Sequence, residues 1–320
     1  MIKFGYKLMS EEHGPSSLVR NAVRAEQAGF EFAAISDHFS PWLEEQGHSS
    51  FAWSVLGAVA QATRSIGLMT AVTCPIMRYH PAIVAQAAAT IALLSNNRFT
   101  LGLGSGECLN EHVIGGGWPG IRERHERLSE AIDIIKGLLA GDLQHYQGTY
   151  FKLDHARVFD RPEQPPSLAI AAGGEEAARL AGRKGAALVT TEPSAEFVEA
   201  YGFAGGTAPR YAEVPLCYAA TEKEARKTAH RYFRWSMTGG QAELPYTEHF
   251  AAASRHVTPE LLAEQVSCGA SAERHLEAID EYVQAGYDHL ILLQIGPQQD
   301  TFFEFFEREL APLFRRSEAS

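Results

Sequence analysis

The sequence predicts an α/β protein, a (β/α)8 barrel, and three observations carry that prediction. Short apolar runs alternate with amphipathic stretches along the whole chain. There are eight such runs, near residues 2–7, 31–36, 67–72, 99–104, 168–172, 186–190, 213–218 and 288–294. Acid–base residues lie just past three of them: Glu11, Glu12 and His13 after the first, Asp37 and His38 after the second, and Glu107 after the fourth. Strand ends of a parallel barrel meet at one mouth, and active sites are built there. An open doubly wound sheet is the alternative, since pattern alone does not show closure.

The strands are short and bounded by polar residues or turn formers, as buried parallel strands are. Between them, Leu128, Ala131, Ile132, Ile135, Leu138 and Leu139 recur at steps of three and four, which makes one apolar helical stripe. Ile83, Ala87, Ile91 and Leu94 form a second stripe. The last helix carries Phe302, Phe306 and Leu310 on one face, with Asp300 as its expected N-cap. Two insertions break the rhythm. Residues 141–166 hold Tyr146-Gln147-Gly148-Thr149-Tyr150, a predicted hairpin and peripheral decoration. Residues 237–270 are rich in glycine and alanine, and read as an irregular lid. No repeat or linker divides residues 1–320, so one domain is expected.

Composition narrows the function. A 320-residue chain suits one barrel, which commonly needs ~250 residues or more. The net charge of −11 and only seven lysines argue against nucleic acid, whose phosphates call for a basic face. Cys74, Cys108, Cys217 and Cys268 show no CxxC spacing and read as reduced thiols of a cytoplasmic enzyme. The chain enters a strand at once, so no signal peptide is expected, and no apolar run approaches the ~20 residues of a membrane span. No metal is expected either, since Glu11-Glu12-His13 is contiguous and lacks HExxH spacing.

The polar residues at the strand ends are the candidates for chemistry. A lone histidine is more often structural, and an aspartate after a strand is a ready helix cap. His38, however, stands at a strand's C-terminal end, with Trp42 four residues on. Histidine trades protons near neutral pH, and an indole face stabilises a developing cation. Glu107 ends the glycine-rich run Gly102-Leu103-Gly104-Ser105-Gly106. Glycine admits close approach of a ligand, and a carboxyl desolvated by a bound ring is a good acid. The competing reading is a carboxylate favoured by a helix start. The run is neither a dinucleotide fingerprint nor a nucleophile elbow. Ala71-Val72-Thr73-Cys74-Pro75 suggests a snug backbone wall. Gly173-Gly174 is either a phosphate-holding helix start or a tight turn.

Four segments in order, SDHFSPW (36–42), RYHP (78–81), SGECLNE (105–111) and AAGG (171–174), resemble the bacterial luciferase-like superfamily. The likeness is nearest to the deazaflavin-dependent glucose-6-phosphate dehydrogenases and their relatives, and runs over nearly the whole chain. It implies a barrel that binds coenzyme F420 and moves a hydride to or from a small substrate, in a homodimer. It places Asp37 at the coenzyme ring and polyol tail, with His38, Trp42 and Glu107 around the reacting carbon. Ser105, Gly106 and Asn110 would line the coenzyme, Gly173 and Gly174 its phosphate, and Ala71 and Val72 the wall behind its ring. Cys74 stands where the dehydrogenases carry a cofactor-touching threonine. Glu11 corresponds to a substrate-side carboxylate, and Thr191 falls on the substrate side too. Ser194 occupies the place of a phosphate-binding lysine, and Glu192 is added beside it, so glucose 6-phosphate is expected to be a poor substrate. An FMN-dependent monooxygenase and a non-catalytic flavin-binding protein are the alternatives.

Overall fold

The computed structural model describes residues 2–142 and 144–318, with 316–318 as backbone only. Eleven strands are found among them: β1 (Lys3–Leu8), β2 (Phe32–Ile35), β3 (Gly67–Thr70), β4 (Phe99–Leu103), β5 (Gln144–Gln147), β6 (Lys152–Ala156), β7 (Ser167–Ala171), β8 (Ala187–Thr190), β9 (Arg210–Tyr218), β10 (Ser267–Gly269) and β11 (His289–Gln294). The eight expected strands are β1–β4, β7–β9 and β11. They pair in parallel, and the circle closes through β8 with β9, β9 with β11, and β11 with β1. The molecule is therefore a closed (β/α)8 barrel, and the open sheet is excluded.

Alternation along the strands sorts side chains into two layers. Phe4, Tyr6, Ala33, Ile35, Leu101 and Leu103 belong to the large core that joins barrel and helices. Phe32, Ala34, Met69, Ala169, Ala187, Val189, Tyr211 and Ile291 make a separate cluster. Phe32, Tyr211 and His289 pack ring against ring within the barrel. Gly5 is required there, because a Cβ on it would enter the Phe32 ring. This packing fills the strand bases and leaves the C-terminal ends to form a cavity.

The stripe from Leu128 to Leu139 is buried as expected, in the helix Ile121–Ala140. The second stripe needs correction. In the helix Pro81–Leu94 the buried face is Val84, Ala85, Ala88, Ala89, Ile91 and Ala92, while Ile83 and Leu94 are exposed. That helix is apolar on most sides, so periodicity does not select a face. Asp300 lies inside the first turn of the helix Gln299–Phe305, whose N-cap is Gln298. The hairpin forms as β5 and β6. Residues 237–270 are more regular than expected. They include the helices Thr247–Ala253 and Pro259–Leu262, and β10 adds to the end of β9.

Candidate active site

Eleven of the expected site residues line one cavity at the C-terminal mouth: Glu11, Asp37, His38, Trp42, Ala71, Val72, Cys74, Gly106, Glu107, Gly173 and Thr191. They come from the ends of six different strands, which only a closed barrel brings together. Ser105, Asn110 and Gly174 do not line it. Asn110 is buried and committed to the protein. Its Oδ1 accepts from Phe39 N at 2.9 Å and Ser40 N at 3.1 Å, and its Nδ2 donates to Glu107 at 3.3 Å. Asn110 therefore positions Glu107 and the loop after β2. Gly174 caps the helix Glu175–Arg183, beside Gly173.

His38 is the centre of the charged cluster. Its Nδ1 lies 2.6 Å from Glu11 Oε1, in an ion-pair contact outside hydrogen-bond angles, and its Nε2 lies 3.7 Å from Glu107 Oε2. Burial alone would lower the pKa of His38, but Glu11 and Glu107 raise it above the ordinary histidine value. Burial would raise Glu11, yet the His38 charge and Lys7 bring it down to about 2. The pairing thus favours the charged form of each partner. Glu107 keeps about a third of its side chain exposed, whereas Glu11 is fully buried. Trp42 meets the His38 ring edge-on at 5.2 Å and stacks on Trp235 at 4.2 Å, so one indole face is covered.

Asp37 is a hub. Its carboxylate accepts from Trp53 Nε1 at 3.2 Å, Thr73 Oγ1 at 2.9 Å and Tyr79 OH at 3.1 Å, and pairs with Arg78 at 3.3 Å. Arg78 also reaches Glu111, whose pKa burial pushes up to about 7. Lys7, buried inside the barrel, donates to the Ala71 carbonyl at 2.9 Å and pairs closely with Glu213. The Ala71–Val72 peptide is cis. Gly106 has φ +75°, and a Cβ there would come within 2.6 Å of Cys74 Sγ. A Cβ on Gly173 meets open space, so that edge of the cavity is clear. The cavity thus offers an apolar wall at Ala71, Val72 and Val189, an open glycine edge and a charged cluster beside Trp42.

Sequence reasoning missed Lys7, Glu213, Trp235, Gln241 and Leu293 in this cavity. Lys7 left one signal, an inward position on β1 two residues from Gly5. Trp235 and Gln241 left none, because 3-10 turns of four and three residues deliver them, too short for a periodic signal. Thr191 opens the loop after β8, and Ser194 caps the next helix by accepting from Phe197 N at 3.3 Å. Among the described residues, three donors stand close enough for one metal ion only at His145, Asp154 and His155, on the exposed hairpin and outside the cavity.

Fold and site define a barrel enzyme of the luciferase-like class, and the comparisons agree. The luciferase-like monooxygenase model matches residues 2–289, and the chain belongs to that family. Its relatives include the F420-dependent glucose-6-phosphate dehydrogenase of Amycolatopsis mediterranei (strain U-32), 35% identical over 98% of this chain and 99% of that one. The enzyme of the same description from Rhodococcus erythropolis is also 35% identical, with 98% of both chains covered. Among solved structures, an F420-dependent secondary alcohol dehydrogenase in complex with an F420-acetone adduct matches with TM-score 0.90 and 27% identity, covering 96% of this chain and 97% of that one.

Proposed function

We propose that the protein is a coenzyme F420-dependent oxidoreductase that interconverts an unphosphorylated alcohol and its carbonyl partner. The observation that carries this reading is the Glu11–His38–Glu107 cluster, set beside an apolar wall and an open glycine edge. The residues fit the coenzyme: Ala71, Val72, Cys74 and Gly106 would hold its ring, and Gly173 leaves room for its phosphate. When bound, coenzyme F420 supplies a two-electron hydride acceptor or donor. Relatives that use it support the assignment.

Oxidation of an alcohol removes a hydride from the carbinol carbon and a proton from the hydroxyl. Neutral His38 takes that proton, and imidazolium returns it during carbonyl reduction. Glu11 orients the ring and stabilises its charged form. Glu107 is the proton-exchanging carboxyl group on the coenzyme side, and Trp42 packs edge-on against the His38 ring while covering the site. The surrounding apolar wall excludes water and orients the two flat partners.

The curated relatives are named for glucose 6-phosphate, but this cavity is poorly suited to it. Lys7 is its only lysine or arginine among the described lining residues, and that ammonium is spent on Glu213 and the Ala71 carbonyl. A dianionic phosphate calls for cations. Steady-state assays with coenzyme F420 should therefore favour unphosphorylated alcohols. A micromolar Michaelis constant for glucose 6-phosphate would contradict the substrate assignment. The homodimer belongs to the same proposal. Exposed Phe51 and Ile83 lie beside one groove over the helices Ala52–Ala62 and Pro81–Leu94, a face suited to a second copy.

A further inference from the structure

A second chamber of about 570 Å³ adjoins the active-site cavity at Trp235. Thr191, Glu213, Trp235, Gln241 and Leu293 line both, so the two adjoin. The volume lies in the ~300–1,000 Å³ range of sites for drug-sized molecules. It therefore exceeds what a three-carbon alcohol needs. Phe233, Met237, Val266 and Pro215 give the chamber an apolar wall. Tyr282 and Gln265 stand on it as neutral hydrogen-bonding groups, and burial first, then Glu281, Glu213 and Glu192, keep the Tyr282 hydroxyl protonated.

Its charge is one-sided. No lysine, arginine or histidine is among the described residues that line it, while Glu192 and Glu213 do. Glu213 is neutralised by Lys7, which leaves Glu192 as the charge an anionic ligand would meet. One donor there lacks a partner: Trp235 Nε1 is buried and makes no hydrogen bond.

We propose that this chamber binds the non-reacting body of the substrate, and that the substrate is an uncharged alcohol or ketone with a bulky, largely apolar body. This rests on the oxidoreductase reading above and adds the specificity. Each methylene buried against Phe233 and Met237 contributes roughly fourfold in binding. The specificity constant should therefore climb with chain length until the chamber is full.

The test is a ladder of 2-alkanols from 2-propanol to 2-octanol with coenzyme F420, beside glucose and glucose 6-phosphate. The expected result is a rise of at least tenfold in kcat/KM along the ladder, with 2-octanol far above either sugar. Met237→Asp should cut the 2-octanol to 2-propanol ratio to within about threefold, and coenzyme titration of the same variant verifies that it is folded. A flat ladder, or an unchanged ratio in a Met237→Asp protein that binds coenzyme, overturns the chamber. A preference for glucose 6-phosphate overturns the uncharged class. Failure to turn over any alcohol or ketone, with coenzyme bound, overturns the oxidoreductase reading itself.

Discussion

His38 sits between two carboxylates, and its charge governs the direction in which the site works best. Glu11 and Glu107 raise its pKa, so imidazolium prevails to higher pH than for free histidine. Alcohol oxidation needs the neutral ring, and its rate should rise with pH through the His38 titration. Carbonyl reduction needs the imidazolium and should fall over the same range. Glu11→Gln removes the nearer charge and should move the His38 titration down, readable in the imidazole NMR signals; an unmoved titration would show that Glu11 does not set it. Glu107→Gln should lower turnover by ~100-fold or more, the scale of a lost general acid, while coenzyme affinity changes little. Near wild-type turnover would return Glu107 to the role of a helix-start carboxylate. The sequence showed His38, Trp42, Glu107 and Glu11 at strand ends. It did not show that Glu11 contacts His38, because that depends on how β1 and β2 are placed side by side.

Elements hold this cluster in place, and two ties can be broken separately. Segment 237–270 is anchored by Glu243, which pairs with buried Arg124 at 2.8 Å and accepts from Trp118 at 2.9 Å. Phe250 of the same segment packs on Trp42 at 5.1 Å. Arg124→Met should speed limited proteolysis within 237–255 and lower kcat/KM for large substrates; unchanged cleavage would show that the anchor is dispensable. The second tie is Glu12, fully buried, which accepts from Gly296 N at 2.7 Å and joins the loop after β1 to the loop after β11. Burial, opposed by that bond and reinforced by Glu11, raises its pKa to about 8. Folding then favours the protonated form. Stability from this group is complete below the ordinary carboxyl pKa and is lost as pH rises from about 4.5 to 8. Glu12→Gln should flatten the decline of Tm over that interval, and an identical slope in the variant would exclude Glu12 as its source. The regular parts of 237–270 escaped the sequence reading because helices of four and seven residues are too short for periodicity. The second of them starts at a cap, with Thr258 Oγ1 accepting from Leu261 N ahead of Pro259.

At the scale of the whole molecule, strand rhythm and polar strand ends made the barrel legible, while closure came only from pairing of β8 with β9 and β9 with β11. The face of the helix Pro81–Leu94 was misread because apolar residues surround it, and Ile83 on its exposed side is what a second copy would cover. Sedimentation velocity should accordingly report a dimer, and Ile83→Glu should shift it toward monomer. A monomeric wild-type protein would remove that proposal without touching the site. Among the described residues no helix is long and apolar enough to cross a membrane. The central claim is that this mouth is built for coenzyme F420, and direct titration tests it best. Trp42 and Trp235 line the cavity, so their fluorescence reports occupancy. Coenzyme F420 should quench it with a Kd at least tenfold below that of FMN. Equal affinities, or tighter binding of FMN, would contradict the account.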